Sequence, residues 1–163
     1  MSQSQSSRSE KMEDKLSLKI KVYHECLRMQ NQMVDNARMA VREAQENANT
    51  SDDSMEEGFV SYREQLQHAR DMFTMQLQNT LNDLETLQQV PAHSLTPTIE
   101  HGAVVATDKQ NFFIAVSIGK VTVDGKSYFT ISTSAPIFQA MLGLKKGETF
   151  NFRDRSYKIT DVF

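Results

Sequence analysis

A long stretch of this chain is almost free of the residues that interrupt helices. Residues 14–90 contain one glycine and no proline, whereas residues 97–163 contain five of the six glycines and two of the three prolines. Glycine and proline are the strongest local breakers of regular structure, so this shift marks a boundary at a linker over residues 91–97. The first half is therefore predicted to be helical, and the second half to consist of short elements joined by turns.

Apolar residues in the first half recur at the spacing of one helix face. The first set is Tyr23, Leu27, Val34, Ala37, Val41, Ala44 and Ala48. The second set is Phe59, Tyr62, Leu66, Ala69, Phe73, Leu77, Leu81, Leu84 and Leu87. Steps of three and four form the seam of a coiled coil. Two such helices with a short link between them predict an antiparallel helical hairpin over residues 14–90.

The predicted link between the helices, near residues 50–57, is strongly acidic. Asp52, Asp53, Glu56 and Glu57 fall within six positions, and residues 43–62 contain no Lys, Arg or His. Carboxylates in the first turn of a helix stabilise its dipole by about 0.3–1 kcal/mol each, which is a purely structural explanation. The absence of any basic neighbour favours a functional explanation beside it.

The second half has the pattern of a small sheet. Short β-branched and aromatic runs predict strands at residues 103–107, 111–117, 120–123, 127–132, 148–152 and 156–163. Asp124-Gly125 favours a tight hairpin turn. Thr133 or Ser134 is the expected cap of one short helix, with Pro136 in its first turn and Gly143 ending it. The predicted fold class is α+β, with a small antiparallel sheet domain of five or six strands over residues 98–163.

Composition and charge limit the kinds of partner and the cellular location that are expected for this chain. The net charge is −3, which argues against a general nucleic-acid surface. The polar residues 1–13 predict a disordered tail without a secretory signal, and no apolar run is long enough to cross a membrane. Cys26 is the single cysteine, so no disulfide forms within the chain. A cytoplasmic protein is expected.

Residues 131–150, ISTSAPIFQAMLGLKKGETF, carry a resemblance to a known family. They resemble the bacterial Gre-type transcript cleavage factors, which have a Ser-Pro-x-x-x-Ala-Leu-x-Gly-x-x-x-Gly-Asp/Glu pattern there. In this chain the pattern is matched by Ala135-Pro136, Ala140-Met141 and Gly143, followed by Gly147 and Glu148. The order of a helical hairpin and then a sheet domain also agrees, so the resemblance covers about residues 14–163.

The acidic link resembles the same family in part. The family carries Gly-Asp-Leu-x-Glu-Asn, and Asp53 and Glu56 keep its spacing of three, although Glu57 stands where the Asn would be. Alignment on residues 62–65, YREQ, shifts the register by one, so that Asp52 takes the position of the Asp and Met55 that of the Glu. The first register is preferred here, and the second stays open.

The resemblance implies a function and a partner. Gre-type factors bind RNA polymerase through an FKBP-like sheet domain, and their coiled coil enters the secondary channel. This assigns a partner contact to Ser134, Ala135 and Pro136, and assigns to Asp53 and Glu56 a catalytic role in trans, sharing Mg²⁺ with the polymerase near the RNA 3′ end. The chain would be a monomer that is not itself an enzyme and has no cofactor of its own, with weak DNA or RNA contact left open.

Three alternatives remain beside this interpretation. The departures at the acidic link fit a factor that occupies the secondary channel and inhibits or tunes transcription without cleavage. A dimeric coiled-coil scaffold, pairing through residues such as Leu66 and Phe73, with a peptide-binding sheet domain, belongs to a different functional class. The FKBP-like fold also raises prolyl isomerase activity, but the chain has no Trp for the aromatic floor of such a pocket.

Overall fold

The computed structural model describes residues 2–50 and 59–163. In chain order the elements are helices α1 (Ser2–Thr50) and α2 (Phe59–Gln88), strands β1 (Val104–Thr107), β2 (Asn111–Ala115), β3 (Gly119–Val123) and β4 (Lys126–Ser132), helix α3 (Pro136–Met141), and strands β5 (Thr149–Phe152) and β6 (Arg155–Val162). The predicted α+β class is confirmed, with two long helices first and a six-stranded sheet with one short helix after them.

The chain divides into two compact units at points inside the long helices. One unit comprises Met1–Arg28 with Thr86–Phe163, and the other comprises Met29–Glu85. The predicted linker, residues 91–97, lies within the first unit. The N-terminal part of α1 belongs to this unit, where Val22 and Cys26 are fully buried and polar contacts join the helix to later segments of the chain.

Three lysines of α1 make those contacts. The Lys15 ammonium forms a 2.9 Å ion pair with Asp161 of β6. The Lys19 ammonium donates a 2.8 Å hydrogen bond to the Ser94 carbonyl oxygen. The Lys21 ammonium lies 3.3 Å from a carboxylate oxygen of Asp124, in the turn after β3.

The start of α1 differs from the prediction of a disordered tail over residues 1–13, because the helix begins at Ser2. Residues 4–14 are all exposed, so packing is not what makes these turns helical. A helix that is already nucleated gains one backbone hydrogen bond for each residue added, and Gln, Glu, Lys and Arg are compatible with that extension.

The second unit is the helical hairpin, and its seam matches the predicted one. Within it the predicted apolar positions of α1 are buried or half-buried, as are those of α2 from Leu66 onward. Tyr62 is the exception among the seam side chains that the structure describes, with half of its surface exposed, and the Phe59 side chain lies outside that description. A polar residue, Gln30, joins the seam although the sequence pattern did not include it; it is 1% exposed, and its side-chain amide donates a 2.9 Å hydrogen bond to the Thr80 carbonyl oxygen.

The sheet has the strand order β3-β4-β2-β1-β6-β5. Every neighbouring pair is antiparallel except β2 and β4, which run parallel, so the prediction of a wholly antiparallel sheet is wrong at this pair. The cause is topological. The tight hairpin puts β3 at the sheet edge and β4 beside β2. The chain reverses once between β2 and β3 and again between β3 and β4, so β2 and β4 point the same way.

Both hairpin turns rest on left-handed backbone conformations. Asp124 and Gly125 have φ of 52° and 76°, and β3 and β4 pair directly beside them. Arg153 and Asp154 have φ of 49° and 62° between β5 and β6. Two consecutive residues with positive φ define the turn whose twist matches antiparallel strands. The Asp-Gly hairpin and the last hairpin are thus confirmed.

One face of the sheet and α3 enclose the main apolar core. Its buried members are Ile99, Ala103, Val105, Phe112, Ile114, Phe138, Met141, Phe150, Tyr157, Ile159 and Val162. The rings of Phe150 and Tyr157 stack with centroids 4.9 Å apart and an interplanar angle of 8°. Strand residues alternate between faces, so Val104 and Tyr128 lie on the opposite face, where they line a cavity with Leu18 of α1.

Candidate partner-binding site

The residues predicted to act at the hairpin end lie outside the described residues. Asp52, Asp53, Glu56 and Glu57 fall between the end of α1 at Thr50 and the start of α2 at Phe59. Their assignment therefore stays a prediction. The structure does establish that the two helices flanking them pair as a hairpin.

Gln30 helps to fix that pairing. A buried amide that hydrogen-bonds to one backbone carbonyl of the facing helix favours a single alignment of the two helices, because a shifted alignment would leave it unsatisfied. Thr80 adds a local bond, since its hydroxyl donates to the Leu77 carbonyl oxygen at 2.8 Å. The alignment of α1 and α2 in turn determines which residues belong to the link between them.

The predicted contact loop precedes α3 and lies at the surface. Ser134 and Pro136 are exposed, and Ala135 is half-buried against the core cluster. The Ser134 hydroxyl lies 2.8 Å from the Ser132 hydroxyl at the end of β4, and the Gln139 side-chain amide donates to the Thr133 carbonyl oxygen at 3.2 Å. The loop is thus fastened to both the sheet and the helix while its tip stays accessible.

The cap of α3 differs from the prediction. The N-cap is Ala135, in extended conformation at φ −67° and ψ 136°, and within the described part of the chain no side chain caps the helix. Ser134 was an expected cap, but its hydroxyl is engaged with Ser132. Pro136 occupies the first turn, as predicted.

At the other end of α3, Gly143 ends the helix as predicted. Its φ is +78°, a conformation that favours glycine, and its amide donates to the Ile99 carbonyl oxygen at 2.9 Å. The exposed pair Lys145-Lys146 follows in a turn, where the Lys145 amide donates to a Glu148 carboxylate oxygen at 2.7 Å.

A pocket that no sequence pattern indicated opens beside α3, the helix that follows the contact loop. It has a volume of about 390 Å³, and its lining residues are Gln110, Ile137, Phe152, Arg153, Arg155 and Tyr157. Ile137 directly follows Pro136 in α3, so the helix that begins at the contact loop supplies one lining residue of the pocket. The sequence marked Arg153 and Arg155 only as part of a hairpin turn, and the approach of Ile137 and Gln110 depends on the tertiary fold.

Burial changes the protonation of several side chains in the first unit. Desolvation lowers the pKa of Lys19 to about 8, although the nearby Glu100 carboxylate opposes this effect. Burial raises the pKa of the Cys26 thiol to about 12, with the Glu25 carboxylate adding to it, so this thiol is chemically inert near neutral pH. Burial also lowers the pKa of His101, whose buried Nε2 atom has no hydrogen-bond partner among residues 2–50 and 59–163.

Within residues 2–50 and 59–163, no group of three or more His, Cys, Asp or Glu side chains is arranged to hold a metal ion. In the same ranges, no helix is long and apolar enough to cross a membrane.

Comparison with known proteins gave limited similarity. No protein-family model matches the chain, and a search of the curated proteins found no match. Among solved structures, "Structure of the transcription factor Gfh1" matches with 15% identity and a TM-score of 0.34, over 83% of this chain and 92% of that one. The GreA factor homolog 1 (Gfh1) of Thermus thermophilus matches with 14% identity and a TM-score of 0.34, over 88% and 93%. Similarity at this level decides neither fold nor function.

Proposed function

We propose that this chain is an RNA polymerase-binding factor of the Gre type, which inserts its helical hairpin into the secondary channel and stimulates cleavage of backtracked RNA. One observation carries the proposal. The link with four carboxylates in six positions joins the two helices that pair as a hairpin. A hairpin end is the part of such an element that can enter a partner, and the sequence joining these helices carries acids with no Lys, Arg or His over residues 43–62.

The chemistry of the acids fits a shared Mg²⁺ ion. Mg²⁺ prefers oxygen ligands and is usually bound by one or two carboxylates together with waters and phosphate oxygens. Asp53 and Glu56 supply two carboxylates, too few for a complete site, so the polymerase would supply the rest. When bound, such an ion would activate water and stabilise charge on the phosphate. The hydrolysis belongs to the polymerase, and this chain acts as its stimulator.

The sheet domain supplies the polymerase contact in this proposal. Ser134, Ala135 and Pro136 form a loop that is fastened at both ends and accessible at its tip, which suits a preformed binding surface. Residues 97–163 carry eight Lys or Arg and six Asp or Glu, whereas the chain as a whole is negative. The role places the protein in the cytoplasm with the polymerase.

A second function is favoured by the differences between the acidic link and the motif of the Gre-type family. The family's Gly-Asp-Leu and its Asn are absent, and Glu57 replaces that Asn. A factor that binds the same channel without positioning a metal ion would inhibit or tune transcription and leave the RNA intact.

A backtracked polymerase complex supplied with Mg²⁺ tests both functions. RNA shortening on addition of the purified chain supports cleavage, and inhibition without shortening supports the second function. If the chain does not bind the polymerase at all, both are wrong. Sedimentation of the free chain then tests the scaffold alternative, which requires a dimer.

A further inference from the structure

The pocket beside the contact loop combines cationic and aromatic groups. Arg153 and Arg155 bracket the turn between β5 and β6, and the Arg153 guanidinium lies over the Phe152 ring at 5.1 Å from its centroid. Ile137 of α3 adds an apolar side chain to the lining. A ligand that enters here meets guanidinium donors and an apolar surface together.

The charge of the two guanidinium groups is not neutralised within the part of the chain that the structure describes. No Asp or Glu side chain there lies within ion-pair distance of Arg153 or Arg155. Some other cations of this unit do form ion pairs, such as Lys15 with Asp161 and Lys109 with Asp108. Arginine presents donors in a planar fork that matches a carboxylate, so the pocket offers a binding position for an anion.

The aromatic rings favour a carboxylate over a nucleic-acid base. Phe150 stacks on the Tyr157 ring, and the Lys109 ammonium lies 5.5 Å from the centroid of the same ring while it also donates to the Ser156 carbonyl oxygen. Arg153 covers Phe152. Single-stranded nucleic acids are bound mainly by stacking of bases on open aromatic faces. With these faces occupied by protein groups, the guanidinium donors are the principal binding groups left.

We propose that this pocket binds an acidic side chain of a partner protein, in a segment where an apolar residue stands next to the Asp or Glu. The carboxylate would accept hydrogen bonds from Arg153 and Arg155, and the apolar neighbour would pack against Ile137. The identification of that partner as RNA polymerase rests on the proposed function, since the pocket adjoins the predicted contact loop. The binding chemistry itself does not rest on it.

An NMR titration of the full chain tests the pocket directly. The probe is the peptide acetyl-Glu-Leu-Asp-Glu-amide, and its neutral match is acetyl-Gln-Leu-Asn-Gln-amide. We expect the acidic peptide to shift the amide signals of Ile137 and of residues 152–157, and the neutral peptide to leave them unchanged. Binding should weaken with added salt, because the interaction is between charges at the surface.

Charge-matched variants distinguish binding at the pocket from a general attraction between the acidic peptide and positive surface charge. Arg153→Asn with Arg155→Gln removes two positive charges, and Asn tolerates the left-handed conformation at residue 153. Lys145→Gln with Lys146→Gln removes the same charge from an exposed turn outside the pocket. We expect about a tenfold loss of peptide affinity in the arginine variant and little change in the lysine variant.

Three results would overturn the proposed ligand of this pocket. They are an equal loss of peptide affinity in both variants, amide signal shifts spread over all exposed lysines, or stronger binding of hexathymidylate than of the acidic peptide at the same residues. A pull-down with RNA polymerase addresses the proposed function separately. Peptide binding without polymerase binding would keep the pocket and refute the proposed function. Polymerase binding without peptide binding would refute the pocket's proposed ligand and leave the proposed function standing.

Discussion

At the scale of single residues, Lys19 shows how burial changes protonation in this fold. Its side chain is 1% exposed, and its ammonium group has the Ser94 carbonyl oxygen as its hydrogen-bond acceptor. The pKa is lowered from 10.5 to about 8, so the unfolded chain binds more protons than the folded chain between these values. The free energy of unfolding therefore rises with pH in this window, because the cost of burying the charge disappears as the amine loses its proton.

In the unmodified chain the free energy of unfolding should rise by on the order of 1–3 kcal/mol between pH 8 and pH 10.5 because of Lys19. We expect this contribution to be absent in Lys19→Met. Chemical denaturation at several pH values measures it as the difference between the two proteins. Taking a difference matters because burial raises the pKa of Tyr23 and Tyr128, which lowers stability at higher pH in both proteins. An identical pH dependence in both would contradict the account of Lys19.

The turn at Arg153-Asp154 carries backbone strain that glycine would relieve. A left-handed conformation costs a non-glycine residue roughly 1–2 kcal/mol. Glycine removes this strain, but the greater flexibility of glycine in the unfolded chain offsets part of the gain in stability. With φ at 62°, Asp154→Gly should stabilise the chain by about 0.5–1 kcal/mol in thermal or chemical unfolding. The reciprocal change Gly125→Ala, at φ 76°, should destabilise it. Destabilisation by Asp154→Gly would mean that its side chain has a role not visible in its contacts.

At the scale of elements, the hairpin depends on one buried amide. Gln30→Ala should lower the free energy of unfolding by about 1–3 kcal/mol, since it removes the bond to Thr80 and leaves a cavity in the seam. Gln30→Leu should recover most of that loss by filling the space. The exposed neighbour Gln32 serves as the control, because Gln32→Ala removes a surface amide and its exposed hydrogen bond to Asn36 but leaves the seam unchanged. Equal effects at positions 30 and 32 would show that the buried amide is not important to the hairpin.

The short helix α3 offers a test of the contact loop that separates stability from binding. Ala135 is an N-cap without a side-chain hydrogen bond, and aspartate is a preferred residue in that position. Ala135→Asp should therefore stabilise the chain by about 0.5–1 kcal/mol. If the loop contacts the polymerase as proposed, the same substitution should weaken binding by placing a charge in the interface. Unchanged polymerase affinity in the stabilised variant would argue against the contact.

The elements were predictable from the sequence to different degrees. The helices followed from the absence of breakers and from spacings of three and four, and the β3–β4 hairpin followed from Asp124-Gly125. The parallel pairing of β2 with β4 was not predictable in this way, because local patterns do not record which strand lies beside which. Gln30 was missed because a polar residue in an apolar seam looks like a surface position until its partner is known.

At the scale of the whole molecule, charge is divided between the two halves of the sequence. Residues 97–163 have a net charge of +2, from eight basic and six acidic residues, whereas residues 1–96 have ten basic and fifteen acidic residues and a net charge of −5. Opposite charges on two parts of a protein favour partners with complementary surfaces and orient their approach. This division fits the proposed function, in which the acidic link and the cationic pocket meet different parts of a large partner.

The candidate site was predicted only in part. The loop at Ser134, Ala135 and Pro136 was found through a sequence resemblance, and the structure places it at the surface. The pocket brings together residues 110 and 137 with residues 152, 153, 155 and 157. These three parts are distant in sequence, so no local motif could have indicated it. The acidic link was visible in the sequence at once, because clustered charge is a compositional feature that needs no tertiary contact to detect.

The most direct measurement of the central claim compares two charge-matched variants on backtracked RNA polymerase with Mg²⁺. Asp53→Asn with Glu56→Gln alters the link, whereas Glu43→Gln with Glu46→Gln removes the same charge from exposed positions of α1. We predict that the link variant binds the polymerase normally but no longer shortens the RNA, while the α1 variant retains cleavage. Full cleavage by the link variant, or equal loss in both, would contradict the assignment of these carboxylates.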